Sequence, residues 1–170
     1  MNQLDLNFIN GAKELLPEYF IGKKILEIGA QDVNGDLRDP FTNCEFTGID
    51  WVPGKNVDIV VAAKDTEFPS DTFDVLLSAN HLEHDPDWQE SLGHNMPALK
   101  QNGLILLRWA GIGSSPHGPE YDPRGEQGYY PKSMAHLLTF LLAQNVEIVK
   151  QYGDVNPYIG PMLNIIAKKL

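Results

Sequence analysis

Apolar positions alternate between two rhythms along this chain. Residues 4–16 place Leu4, Phe8, Ile9, Ala12, Leu15 and Leu16 at helical spacing, and Pro17 stops the run. Ile25 to Ile28 then reads as a first strand, Cys44 to Asp50 as a second and Val57 to Val61 as a third. Phe73 to Ser78 is apolar on both faces, as a central parallel strand should be. Asp85-Pro86 predicts an N-cap with proline at the first helical position. Trp88, Leu92, Met96 and Leu99 follow on one helical face, with a kink expected at Pro97 and an end at Asn102-Gly103. Leu104 to Trp109 is a fifth strand.

From Ala110 to Tyr130 the periodicity vanishes. Gly111, Gly113, Gly118, Gly125 and Gly128 alternate there with Pro116, Pro119 and Pro123. A stretch this long between elements is expected to be a lid or a substrate loop. Pro131 is then expected to open a helix with the stripe Met134, Leu137, Leu138, Leu141 and Leu142. Val146 to Val149 and Leu163 to Ala167 are a sixth and a seventh strand, joined by Tyr152 to Pro161 as a hairpin-like edge. Strands alternating with helices predict an α/β fold: a Rossmann-like, doubly wound, mostly parallel sheet of about seven strands with an antiparallel edge strand. The 170 residues fit a single domain, 1–170.

Composition narrows the partners. A hydrophobic content of 42% supports a globular core, and no apolar run is long enough to span a membrane. The start MNQLDLNFIN lacks the basic and apolar regions of a signal peptide, so a cytoplasmic protein is expected. The single cysteine, Cys44, excludes an internal disulfide and a cysteine cluster. The net charge of −10 argues against nucleic acid as partner, since its backbone needs clustered Lys and Arg.

The chemistry concentrates at strand ends. Ligands of open α/β sheets bind beyond the carboxyl ends of the strands, where strand order reverses. The stretch KKILEIGAQDVNGD puts Glu27 and Gly29 at that end of the first strand. The dinucleotide pattern G-x-G-x-x-G is absent, because only Gly29 and Gly35 are present. Glu27, Asp32 and Asp36 would repel a diphosphate, so the loop suits a ligand of cationic character. Taken without the motif around it, Glu27 reads better as a capping or salt-bridged strand-end residue. His81 and His84 in HLEH have i, i+3 spacing, but nothing beyond Asp85 and Asp87 would complete a metal site, and none is expected. Arg108 ends an apolar strand, either pointing to solvent or set at a cleft mouth to bind a substrate anion.

Four stretches together resemble the class I S-adenosylmethionine-dependent methyltransferases. ILEIGAQDVNG is similar to their glycine-rich first motif, and FTGIDW to the end of their second strand. FPSDTFDVLLSANHLEHDPDW is similar to their fourth strand and the segment after it, and ALKQNGLILL to the turn into their fifth. The resemblance implies S-adenosylmethionine as cofactor and S-adenosylhomocysteine as product. It implies cofactor contacts from Glu27, Gly29, Ala30, Gln31, Asp50, Trp51, Ala63, Asn80 and His81, with Asp50 holding the ribose hydroxyls. His81 and His117 are the candidate bases. Arg108, Tyr121, Arg124 and Tyr129 are the candidate contacts to a small-molecule or saccharide-type acceptor, an anionic one if both arginines act together. Three departures stand out. Gln31 replaces a motif glycine, the Gly29–Cys44 interval is too short for the usual crossover helix, and Ala62-Ala63 replaces a carboxylate, for which Asp65 is the substitute. They motivate the rival expectation of a non-catalytic module that kept the fold and lost or weakened cofactor binding.

Overall fold

The computed structural model describes residues 3–33, 35–115 and 130–170. Its elements run α1 (Gln3–Leu15), β1 (Lys24–Ile28), β2 (Glu45–Asp50), β3 (Ile59–Val60), β4 (Phe73–Ala79), α2 (Trp88–Asn95), β5 (Leu99–Ala110), α3 (Met134–Ala143), β6 (Val146–Asn156) and β7 (Gly160–Lys169). The seven strands form one sheet in the order β3-β2-β1-β4-β5-β7-β6. Strands β1 to β5 pair in parallel, and β7 is antiparallel to both β5 and β6. The antiparallel strand therefore lies one place in from the edge that β6 forms. The order reverses between β1 and β4, which is where a ligand cleft is expected.

Each face of the sheet has its own core. On one, Leu26, Ile28, Leu76, Ile105 and Leu107 pack against Leu92 of α2 and Leu137 and Leu141 of α3. On the other, Ile25, Val75, Leu77, Leu104 and Leu106 meet Phe8, Ile9 and Ala12 of α1. The alternation in β1, β4 and β5 is between two buried faces, which is why these strands read as continuous apolar runs. The described residues between Gly29 and Cys44 form no helix. Phe41 covers the sheet there, stacked on Phe20 at 4.4 Å and edge-on to Phe46 at 5.4 Å.

Several boundaries differ from the periodicity. Helix α2 starts at Trp88, because Asp85 accepts a hydrogen bond from the Asp87 N–H at 2.8 Å and closes a turn ahead of it. Pro97 does not kink that helix. It sits in the 3₁₀ turn Met96–Ala98 that ends it, and Leu99 already belongs to β5. Asn102-Gly103 is an irregularity inside β5: Phe73 pairs with Leu99 but Val75 with Leu104. Asn102 has φ of 61°, and a Cβ on Gly103 would lie 2.6 Å from Leu99 Cγ. Helix α3 is capped by Ser133, which accepts from the His136 N–H, rather than opened by Pro131. Strands β6 and β7 extend through most of the predicted connection, leaving a turn at 157–159.

Candidate functional site

The carboxyl ends of β1, β2 and β4 border one solvent-open cleft. It is lined by Gly29, Asp50, Trp51, Ala62, Ala63, Lys64, His81, Asp85, Asp87 and others. Five of the nine predicted cofactor contacts, Gly29, Asp50, Trp51, Ala63 and His81, thus share it.

Gly29 takes φ of 76°, and its amide donates to the Ile49 carbonyl at 2.9 Å. A Cβ there would fall 2.3 Å from the Cβ of His81, so the turn needs glycine both for its φ and for the histidine beside it. His81 is 9% exposed, lies edge-on to Trp51 at 5.9 Å and puts Nε2 3.8 Å from Asp85 Oδ2. That Nε2 is buried and makes no hydrogen bond among the described residues.

Asp50 ends β2 with one backbone N–H on each oxygen, from Val52 at 3.1 Å and Gln31 at 3.2 Å. An ionised carboxylate has about four acceptor positions, so roughly half stay available to a pair of hydroxyls. The Lys64 ammonium reaches Asp87 across the cleft wall at 3.0 Å. Behind Ala63, Asn95 and Thr66 hold its carbonyl at 2.7 and 2.9 Å and bond each other at 2.9 Å.

The other predicted contacts lie elsewhere. Glu27 is buried at 6% exposure and paired with Arg38, whose Nε and Nη2 are both 2.8 Å from Oε2. Arg38 also donates to the Asn56 carbonyl and stacks on Phe46. Burial pushes the Glu27 carboxyl up to about 7, and the charge and hydrogen bond of Arg38 pull it down without cancelling that. Ala30 is buried behind the cleft, and Gln31 turns its side chain towards the Pro53 carbonyl. The exposed Lys55 ammonium, 2.6 Å from Asp32 and 3.7 Å from Asp36, balances those loop carboxylates.

Asn80 and Arg108 face the α1 side of the sheet. The Asn80 amide donates to Asp5 at 3.0 Å. Arg108 is fully buried and donates to Asp5 at 2.6 Å, Asn164 at 2.6 Å and Asp154 at 2.7 and 3.2 Å. It is neither a solvent-facing strand end nor a cation at a cleft mouth, because its donors are committed to groups inside the fold. The anionic-substrate inference loses this support. Asp65 is exposed and does not line the cleft, so it does not substitute for a carboxylate after β3. His117, Tyr121, Arg124, Tyr129 and most of the 110–130 segment lie outside the described residues.

The sequence reading missed Arg38, and it gave Asp85, Asp87 and Lys64 no place in the cleft. A buried Glu27 needs a cation, and Arg38 is the first arginine after it. That signal was present. The wall formed by Lys64 and Asp87 joins segments that no local pattern links.

Known proteins share this architecture. The chain matches no family model. A 111-residue stretch is 32% identical to a ubiquinone biosynthesis O-methyltransferase of Paramagnetospirillum magneticum, over 56% of this chain and 44% of that protein. The chain thus spans less than half the length of this relative. The structure of a methyltransferase from Methanosarcina mazei, described as S-adenosylmethionine-dependent, aligns with a TM-score of 0.68 at 18% identity, over 92% of this chain and 97% of that one. The 1,6-didemethyltoxoflavin-N1-methyltransferase of Burkholderia thailandensis, bound to 1,6-didemethyltoxoflavin and S-adenosylhomocysteine, aligns with a TM-score of 0.70 at 15% identity, over 98% and 80%. The strand order and the antiparallel β7 agree with these alignments: the chain has the fold of the class I S-adenosylmethionine-dependent methyltransferases.

Proposed function

We propose that the chain binds S-adenosylmethionine in the cleft and transfers its methyl group to a small-molecule acceptor. The observation that carries this reading is Asp50, at the carboxyl end of β2, converging with Gly29, Trp51, Ala63 and His81 on one cleft at the switch point. The fit is chemical. Asp50 offers acceptor lone pairs to vicinal hydroxyls, Trp51 and Ala63 offer apolar walls to a base, and the unbonded His81 Nε2 awaits a donor or a proton. When bound, the cofactor supplies a methyl group already activated on a sulfonium.

The residues then have three tasks. Asp50 fixes the ribose end, and the Gly29 turn lets the backbone approach closely. With Asp87 paired to Lys64, Asp50 and Asp85 keep the cleft acidic, which favours a cationic ligand over a phosphate. His81 takes the proton of a hydroxyl as its oxygen attacks, or that of an ammonium before the freed amine attacks, with Asp85 nearby to stabilise the imidazolium. Orientation supplies the rest of the rate. The curated relative is named for ubiquinone biosynthesis and the Burkholderia structure holds 1,6-didemethyltoxoflavin, which support a small-molecule acceptor, and the net charge of −10 disfavours nucleic acid here.

The test is mass-spectrometric detection of S-adenosylhomocysteine after incubating the protein with S-adenosylmethionine and a panel of phenols, saccharides and amines. Acceptor-dependent product supports the reading. Absence of both product and cofactor binding favours the non-catalytic module, a reading to which the Glu27 carboxylate already paired with Arg38 also lends support.

A further inference from the structure

The cleft wall that carries His81 and Asp85 is held from behind by a buried lysine. Lys132, just before α3, is 5% exposed. Its Nζ donates to the carbonyls of Leu82 and, at 2.8 Å, Tyr130. Its own carbonyl accepts from the Trp109 indole of β5 at 3.0 Å, and the Tyr130 amide donates to the Glu83 carbonyl. The turn 82–84 is thereby stitched to the entry of α3 and to β5. Glu83 and Asp85, on and just after that turn, are 0% and 4% exposed, and both attract the ammonium.

From this geometry we infer that Lys132 is a positioning residue for the cleft. By fixing the Leu82 carbonyl it holds the turn that sets His81 against Gly29 and Asp85 beside His81. The inference rests on the cofactor reading only for its consequence on affinity. Tolerance at this point is small, because the His81 side chain already fills the space of a Gly29 Cβ. Loss of the ammonium would leave a buried carbonyl without this donor and remove one attraction from each of two buried carboxylates. The site also has a built-in probe, since burial pushes the Lys132 ammonium down to about 8. Trp88 of α2 lies near the ammonium and Trp109 of β5 holds the Lys132 carbonyl, and neither titrates. Tyr130 adds a phenol, and Glu83 and Asp85 are the described carboxylates that act on the ammonium.

Nuclear magnetic resonance on the whole chain tests the clamp. In the wild-type protein, the His81 ring resonances should move with the same midpoint as the Lys132 side-chain signal as pH rises from neutrality. Lys132→Met should keep the near-ultraviolet circular dichroism of the fold and shift the His81 resonances. It should weaken S-adenosylhomocysteine binding about 10-fold, the size expected when a buried hydrogen bond is lost. A folded Lys132→Met protein with wild-type His81 resonances would overturn the inference. So would a wild-type titration in which His81 ignores Lys132, and that arm decides the matter if the variant does not fold. If the wild type binds no S-adenosylhomocysteine, the cofactor reading fails while the His81 resonances still judge the clamp.

Discussion

The carboxylates near the ends of β1 and β2 sit in opposite electrostatic settings. Asp50 must stay ionised and partly unsatisfied to hold a diol, and Asp50→Ala should weaken S-adenosylhomocysteine binding by about 1–3 kcal/mol in calorimetric titration. Glu27 is ionisable in a buried place. Its folded pKa of about 7 lies above the ordinary 4.5, so between these values the folded state binds more protons than the unfolded one. The contribution to stability is full below pH 4.5 and lost as pH rises through 7. Denaturant unfolding of wild type and Glu27→Gln from below pH 4.5 to above pH 7 should show the wild type losing about 2–3 kcal/mol relative to the variant. Parallel pH profiles would disprove the assignment. Gly29→Ala meets both a positive φ and the His81 side chain. A destabilisation of about 2–4 kcal/mol is expected in the same assay, with His81 displaced from the cleft.

Elements were legible where one period dominates. The apolar positions of α1, the continuous run of β4 and the Leu137/Leu141 stripe of α3 were all visible in the sequence. Where two signals compete, sequence alone misplaced the boundary. Asn102-Gly103 has the residues of a helix stop, yet pairing with β4 and β7 continues on its far side. Arg108 shows the same limit for the site. A strand-end arginine looks free until Asp5, 103 positions earlier, is brought onto it by α1. That pairing makes α1 an electrostatic as well as an apolar partner of the sheet. Arg108→Met should leave Asp5 and Asp154 without their cation inside the fold and cost about 3–5 kcal/mol. Hydrogen exchange should show α1 opening first. Unchanged protection of α1 would mean that Phe8 and Ile9 suffice to hold it.

At the scale of the whole molecule, the fold separates its two polar systems. The Arg108 network lies on the α1 side and ties α1 to β5, β6 and β7, while the acidic cleft opens at the ends of β1, β2 and β4. The cleft's location was readable because strand order follows from the alternation of elements and because Glu27-Ile28-Gly29 and Asp50 end their strands. The Lys64–Asp87 wall and the Lys132 clamp were not, since each joins segments that only the folded sheet brings together. If the proposed reading holds, this cleft binds the cofactor through Asp50, and titration calorimetry of S-adenosylhomocysteine into wild type and Asp50→Ala decides it. The wild type should show saturable one-to-one binding, weakened about 10- to 100-fold in Asp50→Ala with the fold intact. Absence of heat at millimolar ligand, or equal affinity in the two proteins, would contradict it.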